Sequence, residues 1–424
     1  MSAADQATTA LRLQRLTHPA HLPAEWDALL AIQSQPTPFM SRAYLAALHT
    51  SGSAQARTGW QPHFMLLWQG DALAAACPMY IKTHSRGEYV FDHSWANAYA
   101  EHGLDYYPKL LCAVPFTPVQ GSRLLAMNDA ARAQLVLALQ AEARQLQASS
   151  VHVLFGTATD HSAMTRAGWA SRHTVQFHWH NHGFDVLDTF LKTLSQDKAK
   201  KARAEMRKVR DAGVVWRTVM AAHASVSERD LMVRCYTQTY QEHGNAPYLT
   251  PAFFASMFSE LPAHWLLCIA SHPQFEGGDF ACSLIALDPL ARVAYGRYWG
   301  ALARVDCLHF DACYYQPIQW CIRNGYQRFE GGAQGEHKMA RGLLPVMTQS
   351  SHHIAHPQFA AAIVKFTERE QAGIQGYMGE LSAHSPLRSA LTPNDVPSTA
   401  ALNATLNATL NTTLNAALNA APNA

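Results

Sequence analysis

Residues 293–342 read VAYGRYWGALARVDCLHFDACYYQPIQWCIRNGYQRFEGGAQGEHKMARG, and this segment determines the fold class. Side chains alternate over 293–299 as in a strand, the pattern over 308–323 is typical of a helix, and 327–330 predicts another strand. Pro317 should kink the helix, because proline lacks the amide hydrogen that a helix interior needs. Strand, helix and strand in succession predict an α/β protein.

Similar patterns continue outward over residues 8–380. Strands are predicted at 63–67, 73–79 (after the turn Gln69-Gly70-Asp71), 151–155, 168–169, 174–179, 265–270 and 281–287, and helices at 26–48, 128–147, 186–210, 228–243, 251–259 and 358–378. Both halves show helices, a strand hairpin, a helix and a further strand in the same order. We therefore predict an α/β fold with mixed (α+β) sheets in two stacked domains, 8–178 and 179–380. The proline-containing linker and LNAT repeat of 381–424 predict a disordered tail.

The composition excludes several classes of protein. Charged residues are 15% of 424, and 33 Lys+Arg against 31 Asp+Glu give a net charge of +2. That balance argues against a DNA-binding protein, and no run of 18 apolar residues predicts a transmembrane segment. Eight scattered cysteines and an N-terminus without an apolar signal predict buried thiols in a cytoplasmic protein.

Residues 91–125 form the first segment that favours chemistry. It is rich in aromatic and polar side chains, among them Asn97, Tyr99 and Tyr107. Prolines at 108, 115 and 118 should exclude a regular helix or a central strand throughout. The segment is either a cleft wall that binds a polar substrate or a packing loop between domains.

Residues 198–210 carry seven cations against one acid, Glu205. Lys200, Arg203 and Arg207 share one face of the predicted helix, and such a face can hold phosphates. The alternative is an ordinary solvated helix face. The contrast with the charge-poor remainder of the chain favours a binding role.

The strongest candidate site follows the strand at 327–330. Within twelve residues stand Glu330, Gly331, Gly332, Gln334, Gly335, Glu336, His337, Lys338 and Arg341. Glycines let the backbone approach a ligand, and carboxylates, an imidazole and cations supply base, acid and anion-binding groups. The glycines alone would also suit turns. Arg297, beside Tyr298 in AYGRYWG, either clamps an anion or forms a structural ion pair.

Closely spaced histidines are candidate metal ligands. His178, His180 and His182 alternate in FHWHNH, so on a strand they would share a face. No cysteine or carboxylate spacing completes a tetrahedral set around them. We therefore expect no metal.

Five segments of the chain resemble the bacterial FemAB-like predicted N-acyltransferases, the peptidoglycan biosynthesis/recognition family related to the GNAT superfamily. These segments are FDHSWANAYAEHGLDYYPKLLCAVPFTPVQGSRLL, QFHWHNHGF, AYGRYWG, LHFDACYYQ and FEGGAQGEHKMARGLLP. The resemblance covers about residues 15–380 and implies two tandem GNAT-like domains. It implies transfer of an acyl or aminoacyl group to an amine, with acyl-CoA or aminoacyl-tRNA as co-substrate and no bound cofactor. The sequence departs from the family pattern at His93, His180, His182 and Pro317. The pyrophosphate loop of typical GNAT enzymes is not visible after 293–299, which argues against acetyl-CoA and leaves room for an aminoacyl-tRNA donor.

The roles of these residues are hypotheses from residue type and position. Glu336 or His337 would act as base or proton relay, with Glu330 next, and Tyr298 or Tyr314 would protonate the leaving group. Gly331 to Gly335 would offer backbone donors, and Arg297, Lys338 and Arg341 would bind anionic groups. Asn97, Tyr99 and Tyr107 would line the acceptor side, where a small molecule or cell-wall precursor binds. The alternative function is a non-catalytic binder of a cell-wall precursor or other anionic ligand, and a tRNA is a further candidate partner.

Overall fold

The computed structural model describes residues 11–275, 278–333 and 335–388. The strands are β1 (Leu11–Leu16), β2 (Trp60–Pro62), β3 (Phe64–Gln69), β4 (Ala72–Cys77), β5 (Met79–Lys82), β6 (Lys109–Cys112), β7 (Leu125–Ala126), β8 (Ser150–Leu154), β9 (Ala170–His180), β10 (Val215–Met220), β11 (Trp265–Ser271), β12 (Asp279–Asp288), β13 (Val293–Ala301), β14 (Arg328–Glu330) and β15 (Leu344–Ile354). The helices are α1 (Glu25–Ala31), α2 (Arg42–Thr50), α3 (His93–Glu101), α4 (Asp129–Gln145), α5 (Ala158–Arg166), α6 (Leu187–Thr193), α7 (Gln196–Asp211), α8 (Val226–Glu242), α9 (Pro251–Glu260), α10 (Leu308–Phe310), α11 (Gln316–Arg323) and α12 (Pro357–Ala383). The predicted mixed α/β class is confirmed.

The strands form two sheets. The smaller has the order β1-β3-β4-β7, and the larger has the order β10-β11-β12-β13-β14-β9-β15-β8-β6-β5-β2. In the larger sheet β6 is parallel to β8 and β13 is parallel to β14. A segment with helices connects the strands of each parallel pair, as parallel neighbours require. The order β2-β5-β6-β8 at one end therefore repeats as β11-β12-β13-β14 near the other.

Two long strands join the halves of the larger sheet. β9 pairs with β14, and β15 lies between β9 and β8. Leu344–His352 of β15 pair with Ala170–His178 of β9 in one antiparallel register. The predicted domain boundary between residues 178 and 179 falls inside β9, and it stays a prediction.

Aromatic side chains from both halves share one core. The ring centroids of Phe39 and Tyr295 are 5.2 Å apart, and those of Tyr44 and Phe253 are 5.5 Å apart, all four side chains being buried. Large apolar side chains buried in this way dominate the stabilisation of a core. The helices before β2 therefore pack directly against the second half of the chain.

Most of the predicted elements are present, but residues 91–125 need a correction. The segment contains α3 and the central strand β6, which the prolines were expected to exclude. The reason is positional, because Pro108 directly precedes β6 and Pro115 and Pro118 follow it. Residues 168–169 are another error, since they form the turn before β9 rather than a strand.

The helical segment that was expected to kink contains a π-helical turn at Asp311–Tyr315, and Pro317 lies in the first turn of the helix α11 that follows. A helix tolerates proline in its first turn, where the missing amide hydrogen costs least. The π-helical turn presents Tyr314 and Tyr315 in succession to different partners.

The predicted tail requires a partial correction. α12 continues to Ala383, and Leu387 forms an isolated bridge with Leu194. Arg388 also donates its backbone N–H to the Thr193 carbonyl, at 2.8 Å. Residues 389–424, which include the LNAT repeat, lie outside the described residues.

Candidate functional site

The larger sheet divides at the end of β14. This strand of three residues lies between β13 with nine residues and β9 with eleven. β14 pairs only with Val293–Tyr295 of β13 and with His178–His180 of β9. Beyond Glu330 the two long strands continue without a described strand between them. We call this opening the fork, and the segment 331–341 leaves from it.

Two glycines shape the segment that leaves the fork. Gly332 has a φ of +87° and Gly335 a φ of +115°, a region that side chains with a Cβ rarely adopt. A Cβ on Gly335 would also lie 2.5 Å from the imidazole of His337. The glycine at 335 therefore makes room for the histidine, which stands in the 3₁₀ helix Glu336–Arg341.

His337 faces the β13 side of the fork and contacts Tyr314. Its Nε2 atom lies 2.9 Å from the Tyr314 hydroxyl oxygen. His337 is an exposed residue, but partial burial of its ring, with the cations of Arg341 and Lys338 nearby, lowers its pKa, so the ring is neutral at pH 7. Burial raises the pKa of Tyr314, which keeps its hydroxyl protonated. The pair can therefore move a proton in either direction.

Lys338 is a buried cation beside this pair. Its side chain is 4% exposed, and its Nζ donates a hydrogen bond to the Gly332 carbonyl at 2.9 Å. No described carboxylate forms an ion pair with it. Burial lowers the pKa of Lys338 to about 8. A buried ammonium without a counter-ion is costly, and an anionic ligand would offset that cost.

Arg341, in contrast, has partners within the protein. It donates to Glu205 and to the His337 carbonyl, each at 2.7 Å, and lies over the Phe310 ring at 3.5 Å. Glu205 also accepts a hydrogen bond from Tyr315 at 2.7 Å. These contacts attach α7, the basic helix, to the segment that leaves the fork.

Glu336 faces the β9 side of the fork. Its exposed carboxylate accepts a hydrogen bond from the Tyr377 hydroxyl of α12 at 2.5 Å. Burial and this carboxylate raise the pKa of Tyr377 to about 12. Adjacent residues of one short helix thus face opposite sides of the fork.

A cleft of about 540 Å³ opens beside Glu336. Residues 172–177 of β9 line it, together with Phe91 and with Ile374 and Tyr377 of α12. Arg172 and Glu370 form a bidentate ion pair at the cleft, at 2.7 and 2.8 Å. This ion pair holds α12 against β9.

Glu330 is buried at the base of the fork. One carboxylate oxygen forms an ion pair with Arg328 at 3.0 Å. The other lies 3.7 Å from His178 Nε2 and has no hydrogen-bond partner among the described residues. Burial raises the pKa of Glu330, which favours its protonated form.

Arg297 on β13 extends across the halves. It donates to the Phe116 carbonyl at 2.7 Å and contacts the hydroxyls of Thr117 and Tyr298 at 3.2 Å. Its guanidinium therefore fastens the 113–118 loop to β13. An anion-binding role for it stays a prediction.

The structure places the predicted acceptor residues away from the fork. Tyr99 packs on Phe359 of α12, with ring centroids 4.1 Å apart, and Tyr107 contacts the Ser85 hydroxyl at 2.9 Å. Asn97 is exposed on α3. None of the three lines the cleft, whereas Phe91 of the same segment does. Gln334, another predicted binding residue, lies outside the described residues.

The predicted phosphate-binding residues Lys200, Arg203 and Arg207 are exposed on α7. Arg203 pairs with Asp188 at 2.7 Å. Lys200 and Arg207, like Lys201 and Lys208, have no ion pair with a described residue. A positive face remains there for a ligand.

Sequence reasoning missed Tyr377, Arg172 and Glu370. The α12 pattern marked a helix, but nothing in it indicated contact with a segment forty residues earlier. The described chain contains no group of three or more His, Cys, Asp or Glu side chains that could hold a metal ion. Over the same residues, no helix is both long enough and apolar enough to cross a bilayer.

A FemAB-like family model, described as peptidoglycan biosynthesis/recognition, matches residues 20–389. The crystal structure of FemX is similar, with a TM-score of 0.52 and 9% identity over 83% of this chain and 100% of that one. The structure of L-PGS from Bacillus licheniformis has a TM-score of 0.51 and 9% identity over 84% of this chain and 98% of that one. At these identities the likeness shows a shared fold. No curated protein sequence matches the chain.

Proposed function

Since this chain belongs to the FemAB-like family of peptidoglycan biosynthesis/recognition proteins, we propose that it is an acyltransferase that moves an acyl or aminoacyl group from an activated donor to an amine. The family match confirms the resemblance found in the sequence. The observation that carries the proposed chemistry is the 2.9 Å contact between His337 Nε2 and the Tyr314 hydroxyl at the fork.

The reaction needs one proton removed and one supplied. The amine nitrogen attacks the donor carbonyl, a C–N bond forms, and the bond to the leaving sulfur or oxygen breaks. The amine proton passes to the Tyr314 oxygen while the Tyr314 proton moves to the neutral His337 ring. The same path in reverse protonates the leaving group and restores both residues.

Lys338 and Glu336 serve the two sides of this step. The Lys338 ammonium stabilises the oxyanion of the tetrahedral intermediate, together with the backbone N–H of Gly332. The exposed Glu336 carboxylate attracts the acceptor as an ammonium ion, which releases one proton to solvent before the neutral amine attacks. Both residues border the His337–Tyr314 pair in sequence or in space.

The donor carries phosphates that bind α7. Lys200, Lys201, Arg207 and Lys208 present the positive face, and the Glu205–Arg341 ion pair connects this helix to the fork. Acyl-CoA and aminoacyl-tRNA both supply phosphates and an activated carbonyl. A cell-wall precursor with a free amine is the acceptor that family membership favours.

The test is an acyl-transfer assay of the full chain with each donor class. His337→Ala should lower kcat/KM by about 10²–10⁴-fold, the range for loss of a general acid or base. Glu336→Ala should mainly raise the KM for the amine, and Glu368→Ala, an exposed acid of α12, is the matched control. An unchanged kcat/KM in His337→Ala would contradict the assigned chemistry. Ligand binding without turnover in the unaltered protein would favour the non-catalytic binder instead.

A further inference from the structure

The edge of β9 that faces the fork has no partner strand over residues 170–176 within the described part of the chain. On its other edge β9 pairs with β15 through nine consecutive residue pairs. On the fork side its pairing with β14 covers only His178–His180. One further backbone bond follows, from Gly331 N–H to the Phe177 carbonyl at 3.2 Å.

The known bonds show which backbone groups point into the fork. The Phe177 carbonyl accepts from Gly331, and the Asn181 N–H donates to Gln327, so both odd-numbered residues face β14. Backbone groups alternate along a strand, and His173 and Val175 therefore direct their N–H and C=O toward the same side. Pro345 lies opposite Phe177 in β15, where no N–H toward β9 is needed. The position of Pro345 therefore also indicates that the odd-numbered residues of β9 direct their backbone groups toward the fork.

The cleft of about 540 Å³ lies along this edge of β9. A continuous run of β9, residues 172–177, lines it, and its walls combine aromatic and apolar side chains such as Phe91 and Ile374 with polar ones such as Glu370. The Nδ1 atom of His173 is buried there without a described hydrogen-bond partner. Free strand edges in proteins are normally covered or blocked. This edge lies inside a cleft, and no described strand pairs with it.

We propose that an extended peptide binds in this cleft as an added strand on β9. Its backbone pairs with the N–H and C=O groups of His173 and Val175, which lie about 6.6 Å apart along the strand. Such pairing gives affinity without strict sequence recognition. Glu336 at the end of the cleft attracts an amine of the peptide. Only this last assignment, the peptide as acceptor, rests on the proposed function.

Binding of a labelled peptide, without any donor, tests the added strand. The probe is fluorescein-labelled Ala-Ala-Lys-Ala-Ala-amide, compared with five versions that each carry one N-methylated amide. Methylation at amides that face β9 should weaken binding about five- to tenfold, the usual effect of one lost hydrogen bond. Methylation at the intervening amides should change it less than twofold. No binding by any version, or equal effects at all positions, would overturn the proposal.

A protein variant gives an independent readout. Val175→Pro removes one outward N–H, which an edge strand tolerates, and should weaken the unmethylated peptide about fivefold. Met347→Pro is the matched control, because its N–H points away from β9 on the neighbouring strand. Equal weakening by both variants would count against the edge site. A peptide that binds with the alternating pattern but is never acylated would refute the proposed function alone, and acylation of small amines without peptide binding would refute only this inference.

Discussion

The Nε2 atom of His337 lies 2.9 Å from the hydroxyl oxygen of Tyr314, and this contact joins the segment leaving the fork to a π-helical turn. The next residue in that turn, Tyr315, directs its hydroxyl to Glu205 on α7 instead. Consecutive tyrosines thus serve the candidate proton path and a structural ion pair. Their separate partners allow the two roles to be tested independently.

Tyr314→Phe should lower kcat about 10²-fold or more, because it removes only the hydroxyl that exchanges a proton with His337. Folding should be retained, since the ring and its packing remain. Steady-state kinetics with either donor class measure the effect, and thermal unfolding measures stability.

Tyr315→Phe is the control for that variant. It leaves one oxygen of the buried Glu205 without its hydroxyl donor, so the free energy of unfolding should fall by about 1 kcal/mol. Turnover at a temperature where the variant is folded should stay near that of the unaltered protein. Equal loss of kcat in both variants would contradict the assignment of Tyr314 to the proton path.

Lys338→Met should stabilise the free protein at pH 7, by on the order of 3 kcal/mol at most. The burial that lowers the pKa of Lys338 to about 8 makes the charged folded form costly. The full cost is present below pH 8, where the lysine is charged in both the folded and the unfolded chain. It falls as the pH rises toward 10.5, the pKa of lysine in the unfolded chain, because the folded protein loses this proton first. The advantage of the variant should therefore shrink between pH 8 and 10.5.

Urea unfolding of both proteins at several pH values measures this difference. Taking the difference between variant and unaltered protein cancels the titration of all other groups. A gap that stays constant from pH 7 to 10.5 would show that Lys338 is not a destabilising buried cation. The same variant should weaken donor binding, since it removes the unpaired charge.

Arg341→Met should mainly lower the free energy of unfolding and should affect donor binding less. It leaves Glu205 buried with only the Tyr315 hydroxyl, and breaking a buried ion pair from one side costs about 3–5 kcal/mol. The double variant Glu205→Met, Arg341→Met should recover most of that loss, because no buried charge remains. Chemical denaturation measures all three proteins. Lost donor affinity with unchanged stability would instead support the anion-binding role expected from the sequence.

Glu205 illustrates what the sequence could and could not reveal. Ala199, Ala202, Glu205 and Val209 are the buried positions of α7, so the only acid among the cations lies on its apolar stripe. That spacing is visible in the sequence, although only the cations of the helix were assigned a role there. The identity of the partner was not visible, because Arg341 is 136 residues away and no local pattern connects them.

Local patterns predicted the strands and helices around the site more successfully than their pairing. The segment 330–341 was identified from its glycines and charges, and the structure brings Glu336, His337 and Lys338 together at the fork. The nine-pair register of β9 with β15 could not be predicted, because strand pairing over that distance depends on tertiary packing. The same reason concealed Tyr377, whose contact with Glu336 exists only after α12 has packed.

The unpaired cations of α7 should determine the salt dependence of donor binding. Four exposed cations have no ion pair with a described residue: Lys200, Lys201, Arg207 and Lys208. Each phosphate contact contributes roughly 0.7–0.9 to the slope of log K against log salt concentration. Changing all four residues to Gln should therefore reduce that slope for tRNA binding by about 3. Arg203→Gln with Arg210→Gln is the control, because these cations already pair with Asp188 and Asp211. Filter binding of aminoacyl-tRNA over a salt series measures both slopes. If the four substitutions leave the slope unaltered, α7 holds no phosphates. The basic helix would then be an ordinary solvated face.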